Sequence, residues 1–219
     1  MQGAAVIVAA GSSRRMGFDK LSAEIAGKSV LLRSVEAFMA VPEITRVIVV
    51  GPPERFEALL ATGPFPKPLL RADGGAERQL SVENGLALVT EELVAVHDGA
   101  RPLVRPESIH ACISAAHAGG AAALARQVTE TLKRADAADF SRESVSRELL
   151  WFMETPQIFR TALLRQAYSA VRERGLAVTD EVSALEALGI PTRLIPSPFP
   201  NLKITVPADI PLATALLLR

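Results

Sequence analysis

The sequence has a single cysteine and no excess charge of either sign. An internal disulfide is impossible, and we expect Cys112 to be a buried, inert thiol within a predicted helix. The chain also lacks a Cys/His cluster of the kind that binds zinc. Its 24 Lys and Arg balance 24 Asp and Glu. This balance argues against a nucleic-acid binder, because such proteins usually carry a basic excess.

Long apolar runs are missing as well. Residues 1–11 are apolar, but they lack a basic leader and are too short to span a bilayer. No other segment approaches the roughly 20 apolar residues that a membrane helix needs. We therefore expect a cytoplasmic protein without a membrane partner. With 219 residues, 49% of them hydrophobic, the chain can form one sizeable domain with a large core.

Apolar runs alternate with segments of helical periodicity along most of the chain. The predicted strands are 4–9, 46–51, 67–72, 93–97, 121–128 and 192–196. The predicted helices are 29–41, 53–61, 79–89, 106–118, 161–175, 179–189 and 207–218. This alternation indicates an α/β fold with a mostly parallel sheet and helices on both faces. In such folds ligands bind beyond the carboxyl ends of the strands.

The alternation stops at residue 129. Residues 129–157 are polar and only weakly periodic. A long polar insertion in a compact domain is usually functional or an interaction arm. A surface loop without function is the alternative. Further on, we expect Thr179 to cap the start of the helix 179–189 and Gly189 to end it.

The first chemical motif is the loop after the first strand, AAGSSRRMG (9–17), followed by Lys20. Its Gly and Ser residues allow backbone N–H groups to converge on an anion, and the cations can neutralise phosphate charge. It is not a P-loop, because Met16 stands where that motif has its second Gly. Nor is it a dinucleotide fingerprint, which needs Gly at position 13. A basic surface loop is the alternative.

The second motif is VHDGARP (96–102), which ends a fully apolar strand. Asp98 should lie at the carboxyl end of that strand, where a carboxylate suits a hard cation such as Mg²⁺, which favours oxygen ligands and nucleotide phosphates. Arg101 could then meet an anionic substrate. An ordinary turn residue is the alternative for Asp98, and a core or loop histidine is the expected role of His97.

The third motif is GGAERQLSVENG (74–85). Gly74 and Gly75 would let the backbone approach a flat ligand closely, and Ser81 could donate to a base or sugar. A simple turn before a helix is the alternative. No Gly-x-Ser-x-Gly elbow occurs, which argues against acyl-enzyme hydrolysis. Phosphate donors, a metal carboxylate and a glycine-lined slot together indicate phosphoryl or nucleotidyl transfer.

Seven motifs in order carry a family resemblance: AAGSSRRMG with Lys20, GGAERQLSVENGL, VHDGARP, TETLKRA, TPQ, TDEVSALE and NLKIT. The set resembles the 2-C-methyl-D-erythritol 4-phosphate cytidylyltransferases of the non-mevalonate isoprenoid pathway, from about residue 4 to the C-terminus. The resemblance implies a single Rossmann-like nucleotidyltransferase domain over 1–219 and a dimerisation arm at 129–150. It also implies a reaction of CTP with methylerythritol 4-phosphate, with Mg²⁺, giving the CDP-alcohol and pyrophosphate.

The resemblance also assigns roles to residues of this chain. The catalytic residues would be Arg15, Lys20 and Lys203; Arg15 and Lys20 would stabilise the reacting phosphates, and Lys203 would contact the substrate. Those that hold the cytidine would be Ala9, Ala10, Gly11, Gly75 and Ser81. Asp98 would be the metal ligand. The substrate contacts would be Arg101, Thr131, Arg147, Thr155 and Thr179, of which Thr131 and Arg147 would be lent by the partner subunit of a homodimer. Ser13 and Asp19 depart from the usual pattern, which has glycine and proline at these positions.

Two other functions remain compatible with these residues. One is a cytidylyltransferase for another polyol phosphate, such as ribitol 5-phosphate, with the same nucleotide site. The other is a non-catalytic nucleotide-binding protein of the same fold. Mere binding would not need Arg15, Lys20, Asp98 and Lys203 together, which argues against the second. The chain ends soon after NLKIT, so we expect no fused cyclase-like domain.

Overall fold

The structure, a computed structural model, describes residues 2–11 and 17–218. Within them the strands are β1 Gly3–Val8, β2 Glu24–Ile25, β3 Lys28–Ser29, β4 Ile44–Val50, β5 Leu69–Ala72, β6 Leu93–Asp98, β7 Ala121–Gln127, β8 Leu132–Ala135, β9 Ser141–Val145, β10 Trp151–Arg160 and β11 Arg193–Pro196. The helices are α1 Val30–Met39, α2 Pro53–Leu60, α3 Arg78–Leu86, α4 Pro106–Gly119, α5 Thr161–Glu173, α6 Glu181–Glu186 and α7 Asp209–Leu217.

Seven strands form one central sheet in the order β11-β7-β10-β6-β1-β4-β5. Six of them run parallel, and β10 runs antiparallel to both of its neighbours. From β1 the chain goes outward through β4 and β5, then returns to place β6 on the other side of β1. The carboxyl ends of β1 and β6 therefore flank the topological switch point, where α/β sheets bind their ligands.

Helices cover both faces of this sheet, as the alternation predicted. Successive strand residues point to opposite faces, so Ile7 packs in one apolar cluster and Val6 in the other. Helices α1, α4 and α7 contribute to the first cluster, and α3, α5 and α6 to the second. Because both faces are buried, β1 and β6 read as nearly continuous apolar runs. The predicted fold class is confirmed.

The polar insertion is shorter than the sequence indicated. Residues 151–157 were expected to belong to it, but they form most of β10, a strand between β6 and β7. Glu154, Thr155 and Gln157 of β10 are buried, and groups from distant parts of the chain form hydrogen bonds with them. Gln157 donates to the Asp180 carboxylate at 2.8 Å and accepts from the Val182 N–H at 3.1 Å. The prediction was wrong here because these partners are remote in sequence.

The rest of the insertion forms a hairpin that does not join the central sheet. Strands β8 and β9 pair antiparallel with each other in a separate two-stranded sheet. Arg134 pairs with Glu143 at 2.5 Å across the hairpin, and both side chains are exposed. Most residues from 129 to 150 are exposed, including Phe140 and Leu149. The structure thus shows a protruding element of one chain.

Two local expectations can be compared directly. Helix α6 begins at Glu181, two residues later than predicted, because the Asp180 carboxylate caps it by accepting from the Ser183 N–H at 2.9 Å. The prediction that Thr179 is the cap was wrong, and α6 ends at Glu186, before Gly189.

Cys112 is buried as predicted, and burial raises the pKa of its thiol to about 12. No helix in the described part of the chain has the length and apolarity that a membrane crossing requires.

Candidate active site

A cleft of about 470 Å³ opens at the carboxyl ends of β1 and β6. Val8 and Asp98, the last residues of these strands, are direct neighbours in the sheet register. The cleft therefore lies at the switch point that the topology singles out. The described residues that line it are Val8, Ala10, Gly11, Lys20, Leu21, Gly75, Ala76, Glu77, Arg78, Ser81, Asp98, Ala100 and Lys203.

Asp98 is the buried carboxylate of the cleft, and cations surround it. Its oxygens lie 2.8 Å from the Lys203 ammonium and 3.5 Å from the guanidinium groups of both Arg78 and Arg101. Burial alone would raise the pKa of Asp98, but these charges outweigh it and hold the pKa well below its ordinary value. Asp98 is therefore an anion at neutral pH.

The backbone of Asp98 is held from inside the sheet. Its N–H donates to the Thr155 hydroxyl at 3.0 Å, and that hydroxyl lies 3.0 Å from Nδ1 of His97. Nε2 of His97 lies 3.2 Å from the Arg101 carbonyl, which can only accept, so Nε2 carries the proton and Nδ1 accepts from Thr155. Burial lowers the pKa of His97 to about 4, so the ring stays neutral. His97 is a core histidine, as the sequence indicated.

The segment that carries Lys203 is tied to the sheet on both sides. The Asn201 amide donates to the Thr155 carbonyl at 2.8 Å, and the Ile204 N–H donates to the Ala100 carbonyl at 2.8 Å. These bonds place the Lys203 ammonium against Asp98. The NLKIT motif thus adds a second wall to the cleft.

Gly75 lines the cleft, and Gly74 precedes it in the chain. A Cβ at Gly74 would lie 2.6 Å from the Ala10 Cβ, and one at Gly75 would lie 2.3 Å from the Leu80 Cβ. Only glycine fits these approaches. The Ser81 hydroxyl accepts from the Gly75 N–H at 3.0 Å and donates to the Glu77 carbonyl at 3.1 Å. In this arrangement Ser81 shapes the loop.

Arg78 joins the cleft to a buried acid. It forms a two-point ion pair with Glu181, in which one of the two contacts measures 3.0 Å, and it also approaches Asp98. Glu181 is fully buried and accepts from the Tyr168 hydroxyl at 2.8 Å. Burial would lower the pKa of Arg78, but the charge of Glu181 outweighs it and raises that pKa. Arg78 is therefore a fixed cation between two carboxylates.

Lys20 reaches the cleft from the first loop. Its ammonium donates to the Ile204 carbonyl at 2.8 Å, so it lies beside the segment that carries Lys203. Ala10 and Gly11 line the same cleft, whereas Ala9 is buried beneath it. Arg15 lies outside the described residues, and its role stays a prediction from the resemblance.

The remaining predicted residues lie away from the cleft lining. Arg101 lies 3.5 Å from an Asp98 oxygen and donates to the Asn201 carbonyl at 2.8 Å. It lines a neighbouring groove of about 620 Å³, which Lys203 also lines. Thr179 is exposed beside α6, and Thr131 and Arg147 are exposed on the insertion. The Thr155 hydroxyl is buried behind Asp98. Their predicted substrate contacts stay predictions.

Arg78, Glu181 and Arg55 were missed by the sequence analysis. Arg78 and Glu181 are separated by 103 residues, so no local spacing connects them. Their motifs GGAERQ and TDEVSALE offered the only signal: a cation, Arg78, at the start of one helix and a carboxylate, Glu181, at the start of another. Arg55, which donates to the Gly11 carbonyl at 3.1 Å and pairs with Asp19, lies on α2, in a segment that contains none of the seven motifs.

Asp98 could hold a metal in this cleft. Among the described residues no group of three or more His, Cys, Asp or Glu side chains is arranged to bind an ion. Mg²⁺ does not need such a cage, because it binds one or two carboxylates together with substrate phosphates and water. An ionised Asp98 lining a cationic cleft fits that mode of binding.

Comparison with known proteins agrees with this geometry. The family model described as IspD, 2-C-methyl-D-erythritol 4-phosphate cytidylyltransferase, matches residues 4–219. The enzyme of that name from Geobacillus kaustophilus is 40% identical over 97% of this chain and 96% of its own length. The one from Caldanaerobacter subterraneus is 40% identical over 99% of each chain.

A solved structure gives the same answer for the fold. The crystal structure of 2-C-methyl-D-erythritol 4-phosphate cytidylyltransferase from Thermus thermophilus superposes with a TM-score of 0.83 and 33% identity. The match covers 100% of both chains. The resemblance carried by the seven motifs is confirmed. The chain belongs to the 2-C-methyl-D-erythritol 4-phosphate cytidylyltransferase family, a family of nucleotidyltransferases.

Proposed function

We propose that this protein joins CTP and 2-C-methyl-D-erythritol 4-phosphate, giving 4-diphosphocytidyl-2-C-methyl-D-erythritol and pyrophosphate. The observation that carries the proposal is the pairing of Asp98 with Lys203 in a cleft that Lys20 also lines. Such a cleft at the switch point combines a hard-metal ligand with phosphate-binding cations. The family relationship supplies the identity of the substrates.

The reaction is a displacement at phosphorus. A phosphate oxygen of methylerythritol 4-phosphate attacks the α-phosphorus of CTP in line, a new P–O bond forms, and pyrophosphate leaves. Because negative charge crowds the transition state, catalysis depends on positioning and on cations. We assign this role to Lys20 and Lys203, and to Arg15 on the resemblance.

Mg²⁺ is the proposed cofactor, and Asp98 is the residue that would hold it together with the phosphates of CTP. When bound, it neutralises charge on the triphosphate and helps to orient it. Arg78 and Lys203 keep Asp98 ionised whether or not a metal is present. Because its ammonium lies 2.8 Å from the Asp98 carboxylate, we propose that Lys203 contacts the phosphates of the bound nucleotide.

The cytidine would lie in the slot between the first loop and the glycine pair. Ala10 and Gly11 line one side, and Gly75 and Ser81 line the other. Because the Ser81 hydroxyl is already bonded to backbone groups, we propose that the cytosine is recognised chiefly by backbone N–H and carbonyl groups. The Ser81 hydroxyl keeps that backbone in place.

The substrate prediction is tested by pyrophosphate release with CTP and Mg²⁺. We expect turnover with methylerythritol 4-phosphate, and turnover at least about 100-fold lower in kcat/KM with ribitol 5-phosphate, because a site built for one set of hydroxyls leaves polar groups unpaired with another. The reverse preference would support the other polyol substrate. CTP binding without release from either substrate would support a non-catalytic protein.

The exposed hairpin is the proposed dimerisation arm. Its side chains Phe140 and Leu149 are 65% and 85% exposed, and apolar surface on a protruding element can serve as a protein interface. Thr131 and Arg147 lie on the same insertion, outside the lining of the chain's own cleft. We propose that a second copy of this chain covers the apolar side chains and that each copy lends Thr131 and Arg147 to the other's substrate.

Mixing two inactive variants tests the arm. Lys20→Ala removes a residue of the chain's own cleft, and Arg147→Ala removes one that is lent. Random exchange in a twofold dimer leaves about one site in four with both natural residues, so the mixture should regain about a quarter of wild-type activity. Pyrophosphate release after co-expression of the two variants measures it.

Each variant mixed with itself is the control and should gain nothing. A mixture as inactive as its components would contradict the lending of Arg147. A monomeric mass in solution by light scattering would contradict the dimer itself.

A further inference from the structure

The side chain of Arg55 joins the two ends of the first loop. It extends from α2 and donates to the carbonyls of Ala9 and Gly11, the latter at 3.1 Å. It also forms a two-point ion pair with Asp19, at 3.1 Å to one carboxylate oxygen and 2.9 Å to the other. One guanidinium thus binds the backbone at the start of the loop, just after β1, and the Asp19 side chain near the end of the loop.

Asp19 transmits this contact to its own backbone. Its carboxylate accepts from the Leu21 N–H at 3.1 Å and from the Ser22 hydroxyl at 2.8 Å. Lys20 lies between Asp19 and Leu21, so the residues on both sides of it are fixed by the same carboxylate. A planar guanidinium suits this role, because its donors have a fixed geometry and pair with two carboxylate oxygens at once.

Arg55 is held firmly enough to act as a brace. Its side chain is only 13% exposed, and α2 starts at Pro53, with two residues between it and β4, which pairs with β1 in the sheet. The contacts of Arg55 therefore relate both ends of the loop to the sheet. Exposed ion pairs contribute little, but a half-buried two-point pair with additional carbonyl contacts constrains geometry.

We propose that Arg55 is a positioning residue for nucleotidyl transfer. It sets the distance between Ala10 and Gly11 on one side of the cleft and Lys20 on the other, so that the Lys20 ammonium meets the triphosphate of a nucleotide bound against the first strand. The inference rests on the proposed function for its substrate. Arg55 touches no substrate itself and acts through Asp19 and the loop carbonyls.

The activity test is a double-mutant cycle with Lys20. Arg55→Ala should lower kcat for pyrophosphate release by about 10- to 100-fold, because a misplaced catalytic group costs that much. In the Lys20→Ala background the same change should cost less than about threefold, because the residue that Arg55 positions is already gone. If Arg55→Ala lowers kcat by the same factor in both backgrounds, the proposal is overturned. A general structural role would affect kcat independently of Lys20, so the two effects would simply add.

A matched control exists on the neighbouring helix. Arg33 of α1 donates to the Ile25 and Ala26 carbonyls at 2.7 and 2.9 Å, so it also holds a loop, but away from the cleft. Arg33→Ala should leave kcat within about twofold of wild type. Asp19→Asn provides a second variant if Arg55→Ala does not fold. It should reproduce the Arg55→Ala loss and its dependence on Lys20.

Hydrogen exchange tests the brace without any substrate. In Arg55→Ala the Leu21 N–H, which bonds to Asp19, should exchange at least about tenfold faster than in wild type and in Arg33→Ala. An unchanged exchange rate of the Leu21 N–H would contradict the proposal that Arg55 fixes the position of the loop. If wild-type protein shows no turnover but the exchange rates differ as expected, the proposed function is contradicted while the contact of Arg55 with the loop is supported. Failure of the proposed function can therefore be distinguished from failure of the positioning role.

Discussion

Replacing Lys20 with alanine is expected to lower kcat for pyrophosphate release by at least about 100-fold. The Lys20 ammonium lines the cleft that Asp98 and Lys203 share, and a bond of 2.8 Å to the Ile204 carbonyl already places it there. A preorganised cation costs no reorganisation when charge develops on the leaving pyrophosphate. Removing it should therefore affect the transition state more than the binding of CTP.

The measurement is steady-state kinetics together with CTP affinity by calorimetry. Lys20→Arg keeps the charge but changes the donor geometry, and we expect it to recover only part of the loss. Lys28→Ala is the matched control, because Lys28 pairs with Glu36 at 2.7 Å on an exposed surface outside the cleft. Near-normal kcat in a folded Lys20→Ala protein would remove Lys20 from the catalytic set. Arg15→Ala should show a loss of the same size, on the resemblance alone.

Replacing Arg78 with methionine is expected to lower the free energy of unfolding by about 3–5 kcal/mol. The change leaves Glu181, a fully buried carboxylate, with the Tyr168 hydroxyl but without its cation. An uncompensated buried charge is costly because it has lost its hydration. Asp98 would also lose one of its three cations, so activity should fall as well.

Chemical denaturation measures this loss, with two comparisons that isolate its cause. Arg172→Met breaks the exposed pair with Glu83, 3.0 Å long, and should cost at most about 1 kcal/mol. The double variant Arg78→Met/Glu181→Leu removes the buried charge together with its partner and should recover much of the stability. If Arg78→Met unfolds within about 1 kcal/mol of wild type, the buried pair is not the constraint we describe.

The elements that sequence patterns predicted well are those buried on both faces. Strands β1 and β6 read as apolar runs because helices cover both sides of them, and their ends located Asp98 correctly at the edge of the sheet. Periodicity is produced by local burial, so it can be recognised from neighbouring residues alone. The cleft position followed from this pattern and from the rule for α/β sheets.

Strand β10 shows where such patterns fail. Glu154, Thr155 and Gln157 make it look like a surface segment, yet all three are buried. The groups that satisfy them come from β6, α6 and the segment around Asn201. Their partners are known only once the fold is known. The same holds for Arg78 with Glu181, and for Arg55 with Asp19.

The hydrogen-bonded chain from His97 through Thr155 to Asp98 has a consequence for how activity varies with acidity. His97 has a pKa of about 4 and Asp98 a pKa far below its ordinary value, so both keep one protonation state from about pH 5 upward. A phosphate monoester, by contrast, takes up its second proton near pH 6. An acid limb in the rate profile near that pH would then report the protonation of a substrate phosphate, and neither His97 nor Asp98 would contribute to it.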